Sequence, residues 1–90
     1  MFSWDERKNH ANRKKHGVSF EAASLAFDDP LHISRLERIE GGEHRWQTIG
    51  MAGGVLLLLV AHTWEETLTH EPHIRIISAR RATKLERKNL

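Results

Sequence analysis

The sequence predicts an α+β fold, with two N-terminal helices and one C-terminal helix packed on one face of an antiparallel four-stranded sheet. Three observations predict it. Residues 5–27 carry helix caps and little strand-like alternation. Four strand-like segments follow, and two of the turns between them contain paired glycines. A basic segment after the fourth strand is typical of a surface helix.

The first predicted helix begins after Asp5 and runs to about His16. Asp5 is a suitable N-cap, because its carboxylate can accept hydrogen bonds from the first free backbone N–H groups. Gly17 is the residue expected just past the helix end, where a left-handed backbone favours glycine. Phe2 and Trp4 alternate with a polar residue, so a short extra N-terminal strand is possible.

The second predicted helix is short. Ser19 caps it, and it runs from Phe20 to about Phe27, before Pro30 disfavours further helix. The strands follow, and the apolar third strand is the central one of the sheet. The predicted strands cover residues 31–39, 44–51 and 55–64 and a segment that begins at 73, and the predicted C-terminal helix covers residues 82–88.

Length and composition predict one small cytoplasmic domain, residues 1–90. The chain has no cysteine, which excludes disulfides and cysteine zinc sites. The longest apolar run, Val55 to Ala61, is too short to span a bilayer, and the first residues lack the apolar stretch of a signal peptide. We therefore expect no membrane partner.

The net charge of +2 is distributed unevenly. Residues 5–16 hold five basic and two acidic side chains, and residues 75–88 hold six basic and one acidic side chain. The middle of the chain, residues 21–71, holds three basic and nine acidic side chains. Two basic ends suggest a polyanionic partner such as a nucleic acid. The alternative is that both ends are ordinary solvated helices.

Four arginines are the main candidates for chemistry. Arg75 alternates with apolar neighbours, so its side chain should point away from the core, and Arg45 occupies a comparable position in an earlier strand. Arg80 and Arg81 follow at the strand end. Converging guanidinium groups would bind a phosphate and stabilise a pentacovalent phosphorane. The alternative is solvated charge, with Arg75 paired across the sheet to a residue such as Glu43.

Histidines are the next candidates. His62, near the end of the apolar strand, is either a general acid or base or a core histidine with a hydrogen-bond partner. Lys15 and His16 are nucleic-acid contacts and candidate proton-transfer groups, or they are only cations that complement a helix end. His70 and His73 stand three apart, but the proline between them excludes a regular helix, so we expect no metal site.

The three tryptophans, Trp4, Trp46 and Trp64, either stack on nucleic-acid bases or pack in the core. In so small a domain the core is favoured.

Several stretches in this order are familiar. They are Phe2-x-Trp4-Asp5, Asn12-x-x-Lys15-His16-Gly17-Val18-Ser19-Phe20-Glu21, Phe27-Asp28-Asp29-Pro30, Arg45-Trp46-x-x-Ile49-Gly50, His62-Thr63 and Arg75-Ile76-Ile77-Ser78-Ala79-Arg80-Arg81-Ala82-Thr83. Through them the sequence resembles the BrnT family, the toxin half of a bacterial type II toxin–antitoxin pair. The resemblance covers nearly the whole chain.

The resemblance implies a RelE-like fold and an endoribonuclease that arrests growth by cutting RNA. It implies a BrnA-like antitoxin with a ribbon-helix-helix part, a heterotetramer with it, and operator DNA binding only through it. We expect no cofactor and no metal. The expected catalytic residues are Arg45, His62, Arg75, Arg80 and Arg81, and the expected RNA-binding residues are Lys15, His16, Arg75, Arg80, Arg81 and Lys84.

Two features depart from the family pattern. The family usually has a glutamate just before the first of these arginines, whereas here His44 precedes Arg45 and Glu43 stands one place earlier. The loop at residues 65–72 is longer than usual. Two alternatives to an active nuclease stay open: a module that binds RNA, DNA or an antitoxin without catalysis, and an inactive relic of a toxin.

Overall fold

Five strands form one sheet in the computed structural model of the protein, which describes residues 1–88. The strand order across the sheet is β1-β5-β4-β3-β2. The elements are β1 (Phe2–Ser3), α1 (Glu6–His16), α2 (Phe20–Leu25) with a 3₁₀ turn (Ala26–Asp28), β2 (Ile33–Glu40), β3 (Glu43–Ala52), β4 (Leu56–His62), β5 (Ile74–Arg81) and α3 (Lys84–Lys88). None of the helices described is long and apolar enough to cross a membrane.

The α+β architecture with three helices is confirmed, and strands β2 to β5 are antiparallel as expected. The sheet has a fifth strand, because Phe2 and Ser3 pair in parallel with the start of β5. Several predicted boundaries are wrong, including the start of β2 at Ile33 instead of Leu31 and the end of β4 at His62 instead of Trp64. The regular part of α2 ends at Leu25 instead of Phe27, and α3 begins at Lys84, because the β4–β5 ladder continues to Arg81.

One face of the sheet, which we call the helix-side face, holds the core. Leu58 and Val60 of β4 and Ile76 of β5 are fully or almost fully buried there against Phe20 of α2. The alternate residues of the same strands point to the other face, which no helix described here covers and which we call the open face. Arg45, Gln47, Leu59, Ala61, Ser78 and Arg80 lie on the open face.

The 3₁₀ turn lies directly on β3 at Gly50. A Cβ atom at this position would be 2.3 Å from the backbone oxygen of Ala26, so only glycine permits this approach. Asp29 strengthens the junction, since its two carboxylate oxygens accept hydrogen bonds from the backbone N–H groups of Leu31 and Met51 at 2.9 and 2.8 Å. These bonds lower the pKa of Asp29. The turn therefore places α2 over the middle of the sheet.

Two asparagines, not apolar side chains, anchor α1, and they are its buried residues. The Nδ2 of Asn12 donates to the backbone oxygens of Val18 and Ala79, both at 2.8 Å, and its Oδ1 accepts from the N–H of Ala79 at 3.2 Å. Asn9 accepts from the N–H of Phe20 at 2.9 Å. The Asn12 amide thus pairs with β5 beyond the point where β1 ends.

Strand β2 is the far edge of the sheet, and all eight of its residues are exposed. Its pairing with β3 contains a bulge: Leu36 pairs with Trp46 and Arg38 pairs with Arg45, so Glu37 has no partner. The extra residue reverses the alternation beyond it. Arg38 consequently lies on the open face, across from Arg45.

We predict that Asn12→Leu destabilises the fold by at least about 2 kcal/mol in urea unfolding, because it leaves three buried backbone groups without their partner. Leucine has the same branching at Cγ and favours helix, so helix propensity would not explain the loss. His10→Leu, at an exposed position of the same helix, is the matched control and should change stability by less than about 0.5 kcal/mol. Equal stabilities of the two variants would contradict this account of α1.

Candidate functional site

A cleft of about 210 Å³ crosses the open face of the sheet. Its floor is apolar and its walls are polar. The floor consists of Leu59, Ala61 and Ile77, and the walls consist of Glu37, Arg38, Arg45, Gln47, Ser78 and Arg80. Three arginines against one glutamate give the walls an excess of positive charge, so the cleft suits an anion. We call it the cationic cleft.

Arg45 and Arg75 converge on the carboxylate of Glu43. The Nη2 of Arg75 donates to both carboxylate oxygens, at 2.9 and 3.0 Å, and the Nη2 of Arg45 lies 3.0 Å from Oε1. Arg75 reaches this point from β5 and Glu43 from β3, so the contact connects two strands that are not neighbours. The alternative that Arg75 pairs with Glu43 is therefore confirmed, and the same carboxylate also holds Arg45.

Both arginines keep hydrogen-bond donors that Glu43 does not use. Each of them turns Nη2 towards Glu43. The Nε of Arg45 is buried, and it has no hydrogen-bond partner within residues 1–88. A guanidinium group carries five N–H donors, so an anion at this point can still be bound by both side chains.

Arg80 forms a bidentate ion pair with Glu86 of α3. Its Nη1 and Nη2 donate to Oε1 and Oε2, each at 2.8 Å. The pKa of Glu86 is lowered to about 2, mainly by the hydrogen bonds from Arg80. The same hydrogen bonds raise the pKa of Arg80. Arg80 thus lines the cationic cleft and also fastens α3 to the end of β5.

Arg81 does not join the other arginines. It pairs with Leu58 in the β4–β5 ladder, and the side chain of Leu58 lies in the core. Side chains at paired positions share a face, so Arg81 projects on the helix-side face, opposite to Arg80. The prediction that four arginines converge is wrong for Arg81. The β4–β5 register shifts at Ile77, so Arg80, and not Arg81, lies on the same face as Arg75.

The remaining expected RNA contacts lie outside the cleft. Lys15 and His16 are exposed in the last turn of α1, and Lys84 is exposed in the first turn of α3. They form part of the cationic surface around β5 and do not line the cationic cleft. Long-range attraction of a polyanion is the role that such positions permit.

His62 is completely buried, and both of its ring nitrogens are hydrogen-bonded. Its Nδ1 lies 2.8 Å from the backbone oxygen of Thr63, which can only accept, so Nδ1 carries the proton. Its Nε2 therefore accepts from the hydroxyl of Thr48 at 2.6 Å, and the hydroxyl of Ser34 donates to Thr48 at 2.6 Å. Burial is the main cause that lowers the pKa of His62.

This position corrects the expectation that His62 transfers a proton at the RNA. A ring with no exposed surface and two satisfied nitrogens cannot contact a substrate in this conformation. The other interpretation, a core histidine with a hydrogen-bond partner, fits the structure.

The tryptophans divide into two groups. Trp4 packs edge-on against the buried ring of Phe20, with 6.2 Å between centroids. Trp46 is half-buried and Trp64 is 39% exposed, and both line an apolar hollow of about 320 Å³ on the helix-side face. The preference for core positions thus holds for Trp4 and fails for Trp64.

Sequence reasoning missed two contributors to the site. Glu43 was considered only as a partner for Arg75, although its spacing of two from Arg45 in a strand places both on one face. Arg38 was missed because a regular strand would send it to the helix-side face, and no local pattern signals the bulge. Within residues 1–88, no three histidine, aspartate or glutamate side chains are grouped as metal ligands.

The Arg80–Glu86 pair predicts a pH dependence of stability. The pKa of Glu86 is about 2 in the folded chain against an ordinary 4.5, so its contribution is complete above about pH 4.5 and is lost as the pH falls towards 2. Thermal melting of Glu86→Gln should therefore depend less on pH in this range than melting of the wild type. Glu66→Gln, at an exposed loop position, should follow the wild-type curve. Parallel curves for all three proteins would contradict the prediction.

The hydrogen bonds of His62 predict its tautomer. We expect ¹⁵N NMR of the ring to show a neutral imidazole protonated on Nδ1 that takes up its second proton at a lower pH than in the unfolded chain, because burial lowers the pKa of His62. The same protein unfolded in urea is the control, and there the ring should titrate at the ordinary histidine pKa. A neutral ring protonated on Nε2 in the folded protein would contradict the hydrogen-bond assignment.

Comparison with known proteins agrees with this architecture. The family model described as the ribonuclease toxin BrnT of type II toxin–antitoxin systems matches residues 4–86. The crystal structure of the Brucella abortus ribonuclease toxin BrnT is similar over 93% of this chain and 99% of that chain, with 28% identity and a TM-score of 0.62. No protein with a curated description matches. The chain therefore belongs to the BrnT family of ribonuclease toxins of type II toxin–antitoxin systems.

Proposed function

We propose that this chain is an endoribonuclease that cuts RNA without a metal ion, with Arg45 and Arg75 as the phosphate-binding pair. One observation carries the proposal: two arginines from different strands converge on a single carboxylate beside the cationic cleft. A carboxylate and a phosphate present similar oxygens to a guanidinium group. The position that already binds one oxyanion is therefore suited to bind another.

RNA supplies its own nucleophile, the 2′-hydroxyl group next to the phosphate. Attack by this oxygen gives a phosphorane with more negative charge than the starting phosphate, and then a 2′,3′-cyclic phosphate or its hydrolysis product. Fixed cations near the phosphorus stabilise that charge more than the ground state, and this difference accelerates the reaction. Arg45 and Arg75 would supply this stabilisation through the donors that Glu43 leaves unused.

The other expected residues would take outer roles. Arg80 would contact an adjacent phosphate from the wall of the cleft, and Arg81, Lys15, His16 and Lys84 would attract the backbone from outside it. Such contacts mainly raise affinity and make it sensitive to salt. His62 would act indirectly, by holding β3 and β4 together through its bond to Thr48.

Metal independence follows in this proposal from the charges of the cleft. Three arginines line it, and the carboxylate of Glu43 is already paired with two guanidinium groups. A divalent cation would be repelled there, and the arginines supply the positive charge that a metal ion would otherwise bring. Activity should therefore persist in EDTA.

The biological part of the proposal rests on family membership. As a type II toxin, the protein would act on RNA in the cytoplasm, inhibit translation and growth, and be neutralised by a cognate antitoxin. A BrnA-like antitoxin with a ribbon-helix-helix part, a heterotetramer and operator binding through the antitoxin are the expected details. The likeness to the RelE fold likewise remains a prediction.

A second candidate function is a binding module without catalysis. The bidentate pair of Arg80 with Glu86 favours it, because that arginine has already committed both terminal nitrogens. Such a module would bind RNA with steep salt dependence and would release no cyclic phosphate.

We predict that Arg75→Gln and Arg45→Gln each slow RNA cleavage by roughly 10²-fold, since each removes a charged donor from the developing phosphorane. Cleavage of an end-labelled RNA by purified protein in EDTA, with end-group analysis, measures this. Arg7→Gln, an exposed arginine of α1, is the control with the same change of charge and should cut at the wild-type rate.

Two results would contradict the assignment. Wild-type cleavage rates for both Arg45→Gln and Arg75→Gln would exclude these two residues as the phosphate-binding pair. RNA binding without any cleavage by the wild type would favour the binding module.

A further inference from the structure

We propose that Glu43 is the general base of the reaction, the group that removes the proton from the attacking 2′-hydroxyl. This inference rests on the proposed ribonuclease function and names the proton acceptor that it needs. Other described candidates are less well placed: His62 is fully buried, Glu86 pairs with Arg80 instead of Arg45 or Arg75, and Lys15 and His16 lie outside the cleft.

The geometry places Glu43 where a base must be. Its carboxylate is in direct contact with Arg45 and Arg75, so a phosphate bound by their remaining donors would lie next to it. The 2′-hydroxyl is attached one carbon away from the ribose carbon that carries the phosphate. A phosphate held by these arginines therefore presents that hydroxyl within reach of Glu43.

One oxygen of Glu43 has a single arginine partner and can still accept a proton. Oε1 is contacted by both Arg45 and Arg75, whereas Oε2 is contacted by Arg75 alone. A carboxylate offers about four lone-pair sites, so Oε2 retains acceptor capacity. The side chain is 39% exposed, which lets an RNA substrate reach it.

The carboxylate of Glu43 lies among charges of both signs. Arg45 on its own strand and Arg75 on β5 contact it directly. Across the β2–β3 pair it faces Glu40, whose charge is offset by Arg38 at 3.0 Å. Two positive partners therefore outweigh the single nearby negative charge.

The step is balanced in atoms and electrons. The 2′-hydroxyl proton passes to Oε2 of Glu43 while the 2′-oxygen forms a bond to phosphorus. The bond from phosphorus to the 5′-oxygen then breaks with its electron pair on that oxygen, which takes a proton from water. The products are an RNA end with a 2′,3′-cyclic phosphate and an RNA with a free 5′-hydroxyl. Glu43 returns its proton to solvent.

The test is single-turnover cleavage of one RNA oligonucleotide at a fixed neutral pH. We expect Glu43→Gln to slow the chemical step by about 10²–10⁴-fold, the usual contribution of general acid–base catalysis. Binding of an uncleavable 2′-O-methyl RNA should stay close to the wild-type value, and Glu43→Asp should recover part of the rate.

Two matched variants make the test specific. Glu40→Gln changes the same charge directly across the strand pair, at a side chain that contacts neither Arg45 nor Arg75, and should cleave like the wild type. Glu37→Gln tests the other carboxylate of the cleft wall as the competing candidate for the base. Melting curves of all variants show that each one is folded.

Three outcomes would overturn the inference. In the first, Glu43→Gln keeps the wild-type rate. In the second, it weakens RNA binding and slows cleavage to the same extent, so that Glu43 only positions the arginines. In the third, the loss of rate appears in Glu37→Gln instead. Failure of the wild type to cut RNA at all would refute the proposed function itself, and that result is recognised before any variant is compared.

Discussion

The rest of the structure depends on the contact between the side-chain amide of Asn12 and the peptide groups of Ala79. Strand β1 covers only the first two residues of β5, so the following edge would otherwise expose unpaired backbone groups. Asn12 acts there as a one-residue substitute for a strand. It also binds the backbone oxygen of Val18, just before α2 begins. By fixing β5, it indirectly fixes Arg75 and Arg80.

The elements that sequence analysis predicted well are those with local causes. Asp5, Ser19 and Gly17 cap helices in the structure as expected, because capping depends on a side chain and its nearest backbone groups. The parallel pairing of β1 and the bulge at Glu37 were beyond prediction. Both arise from contacts between distant segments, and neither leaves a pattern in neighbouring residues.

For the site, residue types were easier to predict than their partners. Alternation correctly placed Arg45 and Arg75 away from the core, and cross-strand pairing suggested Glu43. The sequence at the end of β5 gave no indication that Arg80 would bind Glu86, since that pair depends on the position of α3 relative to the strand. The role of His62 was left open for a similar reason: its two threonine partners come from β3 and from the residue after β4.

The bulge in β2 has an electrostatic consequence. It sets two like charges, Arg38 and Arg45, directly across from each other, an arrangement that normally opposes strand pairing. Each arginine has a glutamate two residues away on its own strand, Glu40 and Glu43, which moderates the repulsion. A multivalent anion between the two arginines would screen the repulsion that remains. One unpaired residue in β2 thus makes the pairing of this edge strand sensitive to ionic strength.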